Sequence, residues 1–466
     1  MMGVMDLRQL AHVVNGSLAG ENISFSSVCT DTRSLQKGDL FFALKGDTFD
    51  ANKFIKEAKE RGAVAAVVSK KSNVLPNVLV DDTTKALGKL AQAVRAKTDA
   101  PVVAITGSNG KTSVKEMLVA ILKQSFNVLA TEGNLNNHIG VPLTLLRLTK
   151  EHEIAVIEMG ASHAGEIAYL CELAKPSFSV INNIGEAHLE GFGSVEGIAN
   201  AKSEIVEGLS DKGVAVLNQE DAWYEACLGK AGNKSVLSFG WSDNASVWSE
   251  RSLVKSQLIG DRFEASFTLH YQQQFVNVQL NLLGEHSVLN ALAAASLAIA
   301  LGVSLSDIAA GLANVEPVVG RMQPLAGING SLIVNDCYNA SPTSFKAALS
   351  CVADLNKPIW LVLGDFAELG TSSADIHQQL GNLIASEKVE RVFAVGDHMK
   401  LTVDAINSRE EGREVVAEHF TNKMALSNAV KGVLGKNCVV LVKGSRSQGL
   451  EEVVEQLVKQ EEASCC

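Results

Sequence analysis

The sequence predicts an α/β protein of three domains, with a mostly parallel sheet in the middle and a doubly wound, Rossmann-like α/β domain at the C-terminal end. Three observations predict it. Apolar β-branched runs alternate with helix-compatible stretches from residue 101 onward, the pattern of a parallel sheet covered by helices. A glycine-punctuated loop ending in Lys-Thr directly follows the first of these runs. The 466 residues exceed what one hydrophobic core organises, at a prior of about 150 residues per domain.

The elements follow in order. In residues 1–98, LRQLAHVV and FIKEAKERG read as short helices and LFFAL, AVAAVVS and NVLVD as strands, which suits a small α/β module. The stretch TTKALGKLAQAVRAKTDAP reads as an amphipathic helix running toward Pro101, so a boundary is expected near residue 98. Residues 99–316 alternate PVVAIT, VKEMLVAILKQS, IAVIEMG, GEIAYLCELA and FSVINNIG as strand, helix, strand, helix, strand. Residues 234–283 change to short alternating strands, a β-rich insertion at the edge of this domain, and SVLNALAAASLAIALG closes it as a helix. In residues 317–466, SLIVND, IWLVLGD, RVFAVGD and CVVLVKG are four strands of a further α/β domain. No G-x-G-x-x-G follows any of them, so no second complete nucleotide site is expected.

Composition excludes several classes. A net charge of −11 argues against a general nucleic-acid binder, which needs a basic face to displace counterions. No stretch is long enough to span a bilayer, and MMGVMDLRQLAHVV lacks the basic start and apolar core of a secretory signal. A cytoplasmic protein without membrane insertion is therefore expected; a monomer is the separate expectation for its assembly. The eight cysteines show no C-x-x-C pairing and read as reduced, mostly buried small hydrophobes, with Cys465 and Cys466 assigned no role.

The chemistry concentrates in PVVAITGSNGKTS at 101–113. A phosphate cradle needs glycines that let backbone N–H groups turn inward, a lysine for the terminal phosphates and a hydroxyl for magnesium. Gly107, Gly110, Lys111 and Thr112 supply these, and Ser108, Asn109 and Ser113 complete the candidate loop. The general pattern has a glycine where this chain has Ile105, so the loop is shorter than usual. An ordinary glycine turn between strand and helix is the bland alternative. Glu158 ends the strand IAVIEMG beside that loop, well placed to hold magnesium, though a solvated strand end reads the same way. In NNIGEAHLEGFGSVEGIANAKSEI, His188 is a candidate second magnesium ligand, or a structural histidine; Lys202 by its spacing alone reads as a surface lysine.

The loop TGSNGKT, the strand end EMG, the run AHLEGFGS with AKSEI after it, and GEHSVLNALAA together resemble the Mur ligases, ATP-dependent amide-bond formers of peptidoglycan synthesis. The resemblance covers essentially the whole chain. TEGNLNNHIGVPLTLL at 131–146, NDCYNASPTS at 335–344, LGDFAELG at 363–370 and VKGSRSQGLEEVV at 442–454 are similar, more narrowly, to the members that add D-alanyl-D-alanine to UDP-N-acetylmuramoyl-tripeptide.

What the resemblance implies is a three-domain Mur ligase architecture with a central P-loop NTPase-like sheet, and ATP and Mg2+ as cofactors. Lys111 would neutralise the β- and γ-phosphates, Thr112 and Glu158 would hold a first magnesium, and His188 would help hold a second. Lys202 matches a lysine that the family carries carbamylated. That chemistry is intelligible, because a buried amine near cations loses its proton and can take up carbon dioxide. Asn290 matches the residue that reads adenine, Arg321 the arginine that reaches the nucleotide from the third domain, and Asp336 the ribose-binding aspartate. Asn134, Asn136 and Asn137, with Tyr338 and Asn339, are candidates for the peptide substrate; a plain asparagine turn is the alternative for the first three. Lys443, Ser445 and Arg446 would line the dipeptide site, or form a surface loop. In CTDTRSLQKGDLFFALKGDTFDANKF, Thr32 and Arg33 are candidates for the uridine-diphosphate end, although Asp50, Ala51 and Asn52 stand where the family has Asp-Gly-His.

The implied reaction activates the tripeptide's terminal carboxylate as an acyl phosphate, which the amine of D-alanyl-D-alanine then attacks. Groups from three domains must meet around one carboxylate, which predicts an open form that closes on ligands. Two rivals in the same superfamily are the ligase adding the third amino acid, whose Asn-Pro-Arg signature is absent here, and a folate polyglutamate ligase. A regulatory ATPase forming no amide bond is the rival from another class. The tripeptide's third residue, diaminopimelate or lysine, stays open.

Overall fold

In the computed structural model the described residues are 3–46, 49–408 and 415–459; Cys465 and Cys466 lie outside them. The N-terminal region is built on five strands in the order Ser17–Ala19, Asn77–Leu79, Ala65–Val68, Leu40–Phe42 and Val28–Cys29, parallel except for the first. Its last helix is Thr83–Arg95, started by Asp82, whose carboxylate accepts from the N–H groups of Thr84 and Lys85. Leu87, Leu90 and Val94 of this helix share one core with Ile167, Leu170 and Leu173 of the helix Glu166–Ala174. Polar clamps flank the seam, where Arg95 and Gln92 donate to the carbonyls of Ala174 and Glu172 at 2.8 and 3.2 Å.

Seven of the ten strands of the central sheet run parallel, in the order Val128–Ala130, Ile154–Glu158, Val102–Thr106, Phe178–Ile181, Val214–Asn218, Ser235–Gly240 and Val247–Trp248. The strands Val102–Thr106 and Ile154–Glu158 are buried throughout, which is why they read as unbroken apolar runs rather than alternating ones. Beyond Val247–Trp248 the sheet turns antiparallel through Arg262–Tyr271, Lys255–Ile259 and Gln274–Leu280, the β-rich edge expected from sequence. The helix Glu285–Ala300 packs beneath, burying Val288, Ala291, Leu292 and Ala295.

The third region holds six strands, in the order Gln323–Ala326, Leu332–Asp336, Val439–Lys443, Ile359–Gly364, Val389–Val395 and Val416–Phe420, of which only Gln323–Ala326 is antiparallel. The four expected strands are present, and the two outermost are additional. The six described cysteines are all buried and unpaired. Among the described residues no helix is long and apolar enough to cross a membrane. Side chains of the central and third regions meet across the cleft. The Arg321 guanidinium donates to the Thr112 hydroxyl at 3.0 Å, and Ser341 Oγ lies 3.3 Å from Asn109 Oδ1. Polar groups on the two sides of the cleft thus bond to one another.

Candidate active site

Register builds the site. Glu158 pairs with Ile105 and Ile181 with Thr106, so three neighbouring strands end together and deliver their loops to one place, the usual ligand position of a parallel sheet. The loop after Thr106 turns into the helix Lys111–Leu122 at Gly110, which has a φ of 78°. A Cβ there would stand 2.5 Å from both Asn182 Nδ2 and Asn290 Oδ1. The loop is therefore packed from behind. Asn182 Nδ2 donates to Asn290 Oδ1 at 2.7 Å and to the Asn109 carbonyl at 3.0 Å. Asn183 grips Asn109 twice, accepting from its N–H at 2.8 Å and donating to its carbonyl at 3.0 Å. Ser108 is tied to Gly185 in both directions at 2.9 Å.

Lys111 Nζ folds back onto the Gly107 carbonyl at 2.7 Å. Burial pushes its amine below the ordinary lysine range, Glu158 opposes that, and Arg321 adds to it. Glu158, 2 % exposed, is held on both oxygens, by the Thr112 hydroxyl at 2.9 Å and by Asn136 Nδ2 at 2.7 Å. It is not the solvated strand end that spacing alone allowed. Lys202 is not a surface lysine either. It is 1 % exposed, and no hydrogen bond or ion pair reaches it among the described residues. Burial holds its amine well below the ordinary range, with Lys111 adding in the same direction. The helix Val195–Glu207 that carries it starts at Ser194, whose side chain accepts from the Gly197 N–H, and buries Ile198, Ala201 and Ile205 beside it. His188, in left-handed backbone with φ 57°, sets its Nδ1 against the carboxylate of Glu368. That contact holds the Glu368 carboxyl below the usual range.

From the third region Arg321 arrives with its guanidinium 4.3 Å over the Tyr338 ring, and Arg446 lies 5.6 Å from the same ring. Lys443, 1 % exposed, is committed to Asp336 at 2.6 Å and to the Asn339 carbonyl at 3.0 Å, while the other Asp336 oxygen accepts from the Met322 N–H. Ser445 Oγ accepts from the Ala367 N–H at 2.7 Å. Arg321, Asp336, Tyr338, Lys443, Ser445 and Arg446 line one cavity of about 960 Å³ together with Lys111, Thr112, Ser113, Asn134, Asn136, Asn137, Glu158 and His188.

Several expected residues stand apart or are otherwise engaged. Thr32 and Arg33 are not among the lining residues; Arg33 is exposed and paired with Asp31, whose carboxyl it draws down to about 2. Lys202 is buried and is not a lining residue. Asn137 Oδ1 spends itself on the N–H groups of Ile139 and Gly140, starting the helix Gly140–Leu145. Asn182, Asn183, His286 and Glu368 belong to the site and were not singled out from sequence. The pair Asn182-Asn183 at the end of a buried strand was the available signal for the first two.

No group of three or more His, Cys, Asp or Glu gathers as a metal cage among the described residues. The donors present still fit magnesium, which takes one or two carboxylates and fills its shell with phosphate and water. The Thr112 hydroxyl and the Glu158 carboxylate offer adjacent oxygens at the mouth of the phosphate loop.

Comparison with known proteins gives three adjoining family matches: "Mur ligase family, catalytic domain" over residues 24–104, "Mur ligase middle domain" over 105–298 and "Mur ligase, glutamate ligase domain" over 320–446. A UDP-N-acetylmuramoyl-tripeptide–D-alanyl-D-alanine ligase of Escherichia coli is 43 % identical over 98 % of this chain and 99 % of its own. Among solved structures, MurF of Acinetobacter baumannii superposes with a TM-score of 0.89 at 34 % identity, over 97 % of this chain and 98 % of that one. MurF of Thermotoga maritima, solved with ADP, gives 0.81 at 28 % identity over 92 % and 96 %.

Proposed function

The chain belongs to the Mur ligase family, and from that membership we propose that it joins D-alanyl-D-alanine to UDP-N-acetylmuramoyl-tripeptide at the expense of ATP, in the cytoplasm. One observation carries the reading beyond likeness: a single cavity brings the phosphate loop together with Arg321, Asp336, Lys443 and Arg446 from the third region.

The tripeptide's terminal carboxylate attacks the γ-phosphate, forming an acyl phosphate as ADP leaves. Lys111 swings from the Gly107 carbonyl onto the β- and γ-phosphates, and the loop N–H groups hold the rest. Magnesium held by Thr112 and Glu158, with a second ion near His188 and a carbamylated Lys202, would supply positive charge to the transferring phosphoryl group. Asn290 offers adenine its amide N–H groups, since Asn182 already takes its oxygen. Asp336 turns to the ribose, and Arg321 reaches the phosphates from its seat on Tyr338. The neutral amine of the dipeptide, oriented by Ser445 and Arg446 and screened from water by the closed cleft, attacks the activated carbonyl and expels phosphate. Asn134, Asn136 and Asn137 face the peptide, with Tyr338 and Asn339 opposite. Thr32 and Arg33 take the uridine-diphosphate end.

Phosphate release with each candidate amine, combined with the mass of the product, tests this. Release that requires both the tripeptide nucleotide and D-alanyl-D-alanine is expected. Release with ATP alone defeats it.

A further inference from the structure

The segment Phe366–Gly370 of the third region leans over the short helix Leu189–Phe192 of the central one. Its tip is Glu368. The Glu368 carboxylate sits against His188 Nδ1, the Glu368 carbonyl accepts from the Glu190 N–H at 3.4 Å, and a Cβ on Gly370 would meet Glu190 at 3.7 Å. Glu368 and His188 face each other from left-handed backbone, with φ of 61° and 57°. Non-glycine residues rarely adopt that conformation unless surrounding contacts enforce it. Two contacts hold the segment that carries Glu368. The Phe366 N–H donates to His377 Nε2 at 3.1 Å, and the Ala367 N–H donates to Ser445 Oγ at 2.7 Å, so the tip is braced from inside its own lobe.

An imidazole has two nitrogens, and a partner on one decides what the other can do. His188 Nδ1 is buried, lies against the Glu368 carboxylate and makes no hydrogen bond in this geometry; a carboxylate that accepts from Nδ1–H fixes that tautomer and leaves Nε2 as a lone pair, the form in which histidine binds a cation. We propose that Glu368 is a positioning residue that sets His188 for cation binding, and that it does so only when the third lobe is closed. The proposal rests on the reading of His188 as a cation-holding residue. It adds that the histidine is made ready by the opposite lobe, through a loop whose preceding N–H is held by Ser445, a residue of the proposed dipeptide site. Docking of the amine-binding lobe and readiness of the cation site thereby become one event.

The test uses the full-length protein with a non-hydrolysable ATP analogue and tripeptide nucleotide, Mn2+ as the probe, and electron paramagnetic resonance to count bound ion. Glu368→Ala is expected to weaken Mn2+ binding by about 10- to 100-fold, as removal of a ligand's outer partner does. Glu368→Gln, whose amide oxygen still accepts from Nδ1–H, should weaken it less. Combining Glu368→Ala with His188→Ala should bind no worse than His188→Ala alone, since the two residues act as one. The kcat of Glu368→Ala should fall while KM for the tripeptide nucleotide holds within about twofold. Binding by Glu368→Ala equal to wild type, with His188→Ala impaired, overturns the role of Glu368 and leaves His188 standing. Unchanged binding by His188→Ala overturns both.

Discussion

Arg321 donates to the Thr112 hydroxyl at 3.0 Å across 209 positions of chain, and the same hydroxyl donates to Glu158 at 2.9 Å. A third-lobe cation is thus inserted into the first turn of the phosphate loop's own helix. Arg321→Ala should lower kcat by about 100-fold or more, the loss seen when one preorganised donor to a developing charge is removed. Arg321→Lys should recover only part of it, because a point charge replaces a planar fork. Steady-state phosphate release decides, and a variant within a few-fold of wild type would remove Arg321 from the reaction.

Lys111→Ala should abolish dipeptide-dependent product, by about 1,000-fold, since it withdraws the loop's only cation from the transferring phosphate. Its thermal midpoint should hold, because the side chain spends its bonds on loop carbonyls rather than on the core. Product mass and a melting curve on the same sample separate chemistry from folding.

The unpaired Lys202 carries a pH signature. Burial lowers its pKa in the fold below the unfolded value of about 10.4. As pH falls beneath that value the unfolded chain takes up a proton that the folded one resists, so stability rises with pH between the two pKa values and the penalty is full below the lower one. In buffer freed of carbon dioxide, Lys202→Met at pH 7.5 should melt above wild type, by about 2–4 °C for each ~1 kcal/mol relieved. The gap should close toward pH 10, and activity should be lost. A variant that melts lower at pH 7.5 contradicts this account of the amine.

Gly110→Ala meets both a φ of 78° and side-chain amides 2.5 Å from the new methyl. A cost of about 1–3 kcal/mol is expected from the backbone alone, with displacement of Asn182 and Asn290 added. Calorimetric titration with ADP should show affinity reduced at least tenfold, and unchanged affinity would mean that the loop is not held from behind as described.

Much of this was legible in the sequence, for physical reasons. Glycines before Lys-Thr after a β-branched run mark a phosphate loop, and a carboxylate closing an apolar run marks a strand end near it. The edge strands were harder to see. Gln323–Ala326 contains a proline, and Val416–Phe420 mixes Glu418 and His419 into a short, half-exposed run, so neither carries the apolar continuity of a central strand. Lys202 looked like a surface residue because helical spacing cannot say which face meets the sheet. His188 and Glu368 are 180 positions apart, and no local pattern announces such a meeting. The contacts of Arg321 with Thr112 and of Ser341 with Asn109 could not be read from the sequence, because it names the groups on either side of the cleft without saying that they meet.

The seam between the helix Thr83–Arg95 and the helix Glu166–Ala174 has a mechanical outcome. A joint filled with leucine and valine, with the Tyr169 hydroxyl seated 2.2 Å from where a side chain on Gly88 would begin, has no room to swivel. Side chains of the first and second lobes thus share one continuous core across this joint, and a residue larger than glycine at position 88 would have to push Tyr169 out of it.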